Sequence, residues 1–193
     1  SSSRPRPTNR PGSLSGPVAP GGAFYVSEGA LTLRQAVLEH NHSGNGSTLL
    51  LVASVSRVEN SLIRGNDGGG GALVRVLDGS SFVLNSSTVA GNAGGSTLVE
   101  LFSDNGANNL YLRNSIIWQP GTTVLAATPA DTLASECVNA HEDASIAALV
   151  HEPGFLDPDG GDYRLHASSP NIDACDDPFS GPVADLLGHQ RPS

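Results

Sequence analysis

The chain has 193 residues, 38% of them hydrophobic and only 5% aromatic, with 23 Gly, 13 Pro and no Met. That content supports one buried core with many turns; it disfavours a helical bundle, and no stretch approaches the roughly 20 apolar residues of a membrane span. A formal net charge of -9, from 19 acidic against 10 basic residues that are all Arg, repels polyphosphate and makes nucleic acid and anionic membranes poor partners.

Residues 1–20 carry five prolines and almost no aliphatic side chains, so they read as a linker or an extended cover. From Gly21 one pattern recurs: LRQAVLEHN (Leu33 to Asn41), VENSLIRGN (Val58 to Asn66), LNSSTVAGN (Leu84 to Asn92) and LRNSIIWQP (Leu112 to Pro120), with closing positions 25, 26 and 28 residues apart. A second apolar run precedes each block: Ala23 to Val26, Leu49 to Val52, Ala72 to Leu77 and Leu98 to Phe102. Gly-rich turns such as NDGGGG (Asn66 to Gly71) and NAGG (Asn92 to Gly95) separate the periods. Segments this short bury no core alone, but copies stacked at about 4.8 Å join their faces into one. A leucine-rich repeat of similar period is disfavoured, because its L-x-x-L-x-L-x-x-N ladder is absent and β-branched residues dominate.

The expected fold is therefore all-β: a right-handed parallel β-helix of about four regular coils over 21–122, followed by a C-terminal coil and irregular cap over 123–193. Asn60 and Asn114 fall at equivalent points, as do Asn41, Asn66 and Asn92. Asn tolerates left-handed backbone and bonds to its stacked copy, so these positions read as turn ladders rather than ligand sites. After Pro120 the repeat dissolves, and a cap is needed because an open solenoid end presents unpaired strands. Asp143 is placed to N-cap a brief helix through Ala144 to Val150. Cys137 and Cys175 lie outside any metal-binding spacing; in an exported protein they would form one disulfide, the alternative being two buried thiols.

The block VENSLIRGN and the C-terminal stretch from Phe155 resemble bacterial right-handed β-helix proteins of the choice-of-anchor Q type, related to pectin-lyase-like repeats. Phe155, Asp157, Gly161, Asp162, Tyr163, Arg164, Leu165, Ser169, Pro170, Ile172 and Asp173 follow the first part of that ending, and Asp185, Leu186, Gly188, Arg191 and Pro192 the second. The resemblance implies export and display at the bacterial cell surface. It carries no catalytic residue across.

Three places offer chemistry. Asp157, Asp159 and Asp162 alternate around glycines like an oxygen-ligand calcium loop, although an Asx-capped turn uses the same residues. Asp78 and Asp104, 26 residues apart, could stack on adjacent coils as a carboxylate pair of the glycosidase kind; acidic-Gly pairs are also ordinary turn formers. Trp118 occupies a position that other coils fill with Glu39, Arg64 and Ala90, so its indole either stacks on a sugar ring or seals the last coil. Arg34, Arg57, Arg64, Arg75 and Arg113 could supply charge to a lyase, and His40 and His42 flank a Gly-rich turn. No G-x-S-x-G, H-E-x-x-H or phosphate loop occurs. The expectation is a secreted or cell-surface, non-catalytic module that binds a polysaccharide or a surface protein, adhesin-like, with no cofactor unless calcium. The alternatives are a polysaccharide lyase or glycoside hydrolase of the pectin-lyase-like fold, and a structural spacer.

Overall fold

Strands of three to five residues are stable only when their N–H and C=O groups meet neighbours on both edges, and stacking one coil on the next supplies those neighbours. The computed structural model, which describes residues 22–44, 47–142, 146, 149–172 and 174, is built this way. Its first turn comprises β1 (Phe24–Ser27), β2 (Ala30–Arg34) and β3 (Val37–Glu39); its second, β4 (Leu49–Val52), β5 (Val55–Glu59) and β6 (Leu62–Arg64). The third comprises β7 (Val74–Leu77), β8 (Ser81–Asn85) and β9 (Thr88–Ala90). In the fourth and fifth, β10 (Thr97–Phe102) and β12 (Thr123–Ala126) are followed by single long strands, β11 (Asn109–Trp118) and β13 (Thr132–Ala140).

Like strands pair in parallel to give three faces. The first is β1-β4-β7-β10-β12 and the second β2-β5-β8-β11-β13. The third is β3-β6-β9 continued by the C-terminal parts of β11 and β13. The result is a right-handed β-helix of about five turns. Strict register stacks like on like inside it: Leu38, Ile63, Val89, Ile117 and Ala140 form one column on the third face. Val58, Leu84 and Leu112 form another on the second. All eight are buried. At roughly 1.5–3 kcal/mol for each large aliphatic side chain, such columns are the main stabilising term. Among the described residues no helix is long and apolar enough to cross a membrane.

Where the chain turns from one face to the next, a backbone N–H falls off the strand ladder. At each corner a side-chain oxygen of the following turn accepts it, or in one case a ring nitrogen. At the first corner Ser54 N donates to Ser80 Oγ, Ser80 N to Asn108 Oδ1 and Asn108 N to Asp131 Oδ1. At the second the acceptors are Ser61, Ser87 and Ser115 Oγ, receiving from Ala36, Ser61 and Ser87 N. At the third the series runs Asn41 to Asn66, Asn66 to Asn92, Asn92 to Gln119 Oε1 and Gln119 to His141 Nδ1.

The second corner bends through one left-handed residue per turn: Gln35, Asn60, Ser86, Asn114 and Cys137, with φ between 47° and 52°. Asn60 and Asn114 thus do what their residue type suggests. The third corner divides the two roles expected of Asn41, Asn66 and Asn92. These three carry the ladder, while the left-handed residue is the one before each: His40, Gly65 and Gly91, at φ 56°, 59° and 61°.

The four regular coils are followed by β12 and β13, which complete a fifth turn within the segment where the repeat dissolves. That turn escapes the pattern because Ser135 and Ala140 stand where the preceding turn has Leu112 and Ile117, Val138 stands in the column of Ser acceptors, and its corner acceptors are Asp131 and His141 instead of Ser or Asn. The expected helix from Ala144 to Val150, with its cap Asp143, falls mostly outside the described residues; of that segment, residues 146, 149 and 150 are described. Leu149 makes a parallel bridge to Asn139, and Ile146 is buried at 3% exposure against the core, closing the end with backbone pairing. The Pro-rich residues 1–20 lie outside the described residues.

Asp131 closes the first ladder. Burial alone would raise its pKa, but hydrogen bonds from Asn108 and Thr128, backbone and side chain in each case, outweigh it and hold the carboxyl below its ordinary 3.8. A depressed folded-state pKa gives stability that is complete above the unfolded value and is lost as pH falls through the folded one. Urea denaturation should therefore show wild-type stability declining below about pH 4. Asp131→Asn is expected to cost about 1–3 kcal/mol at pH 7 and to flatten that acid limb. An unchanged acid limb would remove Asp131 from this role.

Candidate functional site

The third face presents an outward column of Glu39, Arg64, Ala90 and Trp118, which the register stacks on successive turns. Beside it, the left-handed corner places Gly65 and Gly91 on adjacent turns, so two consecutive positions carry no side chain. The His40 ring lies over the first, with its Cδ2 and Nε2 both 3.6 Å from where a Gly65 Cβ would stand. Into the second dips Tyr163, whose hydroxyl occupies the place of a Gly91 Cβ.

Tyr163 belongs to an antiparallel hairpin, β14 (Phe155–Asp157) and β15 (Asp162–Leu165), that folds back across this face. Phe155 and Tyr163 meet edge to face at 5.2 Å. Arg64 fastens the hairpin: its Nη1 donates to Gly161 O, while its Nη2 and Nε bind Glu39 Oε2 at 2.6 and 2.9 Å. Burial raises the Tyr163 pKa, partly offset by the Arg64 charge, so the phenol stays protonated.

Between the hairpin and the third face lies a cleft of about 840 Å³, within the usual range for small-ligand sites. His40 and the Gly65 and Gly91 backbone line it from the solenoid, with Trp118 and Gln119; Glu152, Phe155, Asp159 and Tyr163 line it from the cap. Trp118 is half-buried and stands edge to face with His141 at 6.2 Å. His141 is itself locked, accepting from Gln119 N at Nδ1 and donating from Nε2 to Thr122 O at 2.7 Å, so the wall bearing the indole is rigid.

The other residues singled out by sequence are placed as follows. Asp157 and Asp162 face each other across the hairpin, and Asp159 lies in its turn and borders the cleft. Asp157 Oδ1 accepts from Gly160 N three residues on and so closes the turn, while Arg164 binds Asp162 and pulls its pKa down to about 2. Among the described residues no three His, Cys, Asp or Glu side chains stand close enough together to hold a metal ion. Asp78 and Asp104 lie at the first corner of adjacent turns. There the register offset grows from 25 residues (Leu77 to Phe102) to 28 (Ser81 to Asn109), and Asp104 falls in the extra length. Asp78 has left-handed backbone (φ 55°) and acts as a turn former.

These five arginines are all engaged, Arg34 with Glu59, Arg64 with Glu39, Arg75 with Glu100 and Arg113 with Glu136 across turns, and Arg57 with Glu59 on its own strand. Burial would raise the Glu59 pKa, but its two guanidinium partners bring it below the ordinary value. His42 Nδ1 pairs with Asp67 at 3.1 Å, on a short fourth side where His42, Asp67 and Ala93 bridge. Cys137 sits at the second corner; Cys175, Asp173 and the stretch from Asp185 to Pro192 lie outside the described residues.

Sequence reading thus reached Trp118 and the turn carboxylates but missed the cleft. The available signal was the Gly before Asn in IRGN and VAGN, two missing side chains in register. No family model, curated protein or solved structure matches this chain.

The notch at Gly91 is the part of the site most sensitive to volume. Gly91→Ala puts a methyl where Tyr163 sits and a Cβ on left-handed backbone, and it should cost about 2–4 kcal/mol in thermal or urea unfolding. In a Tyr163→Ala background the same change should cost only the backbone strain, about 1–2 kcal/mol. Equal costs in both backgrounds would mean that the hairpin does not dock on Gly91.

Proposed function

We propose that this chain is a non-catalytic recognition module of an exported bacterial β-helix protein, and that it holds a glycan in the cleft between the third face and the hairpin. The observation that carries this reading is the cleft itself. It brings the only tryptophan of the chain, on a rigid wall, together with His40, Glu152, Asp159 and Tyr163. An indole face beside a few hydrogen-bonding groups is the chemistry that binds pyranose rings. The resemblance of the C-terminal stretch to surface-displayed β-helix proteins favours the same setting. A lyase or hydrolase is less favoured, because the arginines are committed to glutamates and Asp104 lies in a corner insertion rather than in register with Asp78.

Calorimetry against a panel of neutral and charged polysaccharides tests this. At least one should bind, and Trp118→Ala should weaken it tenfold or more while leaving the melting temperature nearly unchanged. Release of reducing ends or unsaturated products, lost in Asp78→Asn or Asp104→Asn, would make the protein an enzyme instead. Binding of no glycan at all would leave a spacer.

Export further predicts that Cys137 and Cys175 are joined, closing a loop worth about 3–4 kcal/mol. Alkylation of the unreduced, denatured protein followed by intact-mass measurement should find no labelled thiol. Two labelled thiols would take away the physical support for export.

A further inference from the structure

Resting on the reading of the cleft as a saccharide site, we propose that its ligand carries free amino groups: a polymer of amino sugars rather than of uronates or neutral sugars. The argument is one of uncompensated charge. Besides Tyr163, whose phenol stays protonated, four ionisable side chains line the cleft from its two sides: His40 and Arg64 on the solenoid, Glu152 and Asp159 on the cap. Arg64 is spent, since two of its nitrogens bind the Glu39 carboxylate and a third the Gly161 carbonyl. The neighbouring hairpin carboxylates are spent too, Asp162 on Arg164 and Asp157 on Gly160 N. Glu152 and Asp159 are exposed and make no ion pair among the described residues.

The cleft therefore sets two free carboxylates against the single imidazole of His40, beside an indole, on a chain with a net charge of -9 and no lysine, so negative charge prevails there. A uronate chain would bring its carboxylates against like charges within a Debye length, about 8 Å at physiological salt. A protonated sugar amine meets the opposite: carboxylate partners at the rim, and the negative face of the Trp118 ring for its charge or its C–H groups. The proposal thus assigns Trp118 to ring stacking, and Glu152 and Asp159 to selecting the amine.

The test titrates the protein at about pH 5.5, where amines are protonated and carboxylates ionised, following Trp118 fluorescence and heat. The ligands are a glucosamine oligomer, its fully N-acetylated counterpart, a uronate oligomer and oligolysine. The glucosamine oligomer should bind at least tenfold tighter than the acetylated one, lose that margin in high salt, and leave the uronate unbound. In the double variant Glu152→Gln, Asp159→Asn the ratio of the two affinities should fall to about one, whereas Trp118→Ala should weaken both oligomers and keep the ratio. Circular dichroism and melting of each variant establish that it is folded.

Equal affinity for the free and acetylated oligomers would overturn the amine assignment and leave the glycan reading standing. Preference for the uronate would overturn it as well. Absence of any saccharide binding would overturn both readings. Oligolysine bound as tightly as the glucosamine oligomer, with the same response to the double variant, would turn the site into one for basic peptides and likewise overturn the proposal.

Discussion

Every structure in which a strand turns a corner faces the same problem: the amide at the bend points away from the neighbouring strand, and burying it unpaired costs about 1–3 kcal/mol. Five stacked turns with three corners multiply that cost. Here each corner answers it in the same way, with a Ser, Asn, Asp, Gln or His side chain of the next turn accepting the orphan N–H. Because most of those acceptors are short, buried Ser and Asn side chains, their spacing fixes the register. The register in turn decides that Leu, Val, Ile and Phe stack inward and that arginines meet glutamates outside.

Much of this could be read from the chain before any coordinates. The blocks VENSLIRGN, LNSSTVAGN and LRNSIIWQP contain the Ser acceptors of the second corner, the left-handed Asn60 and Asn114, and the inward Ile63, Val89 and Ile117 in one alignment. The fifth turn was hidden because a ladder can be ended by any side chain with an acceptor of the right reach. Asp131 and His141 serve as well as Ser and Asn but break the visible pattern. Gln119 shows the same freedom: it lies one residue off the spacing that pairs Trp118 with Ala90, and its longer side chain makes up the difference.

The cleft was illegible for a different reason. Its two walls come from separate parts of the chain, between residues 40 and 120 and between 152 and 163, the fastening from Arg64 to Gly161 spanning 97 residues, and no periodicity connects them. What could be seen was each half separately. The resemblance in the C-terminal stretch acquires a physical meaning once the halves are joined: Phe155, Asp157, Gly161, Asp162 and Tyr163 build and dock a hairpin. That motif is a fastening, and the charged groups left over around it, Glu152 and Asp159, are the ones free to meet a ligand.

The corner ladders have a polarity. In all three, the amide belongs to the earlier turn and the acceptor to the later one, and Asn66 and Asn92 also reach back to donate to Leu38 O and Ile63 O. A coil is therefore never finished by its own residues; the one synthesised after it supplies the missing partners. At these corners, removing the last turn would leave the amides of the turn before it without acceptors, whereas removing the first would take away amides and leave acceptors behind.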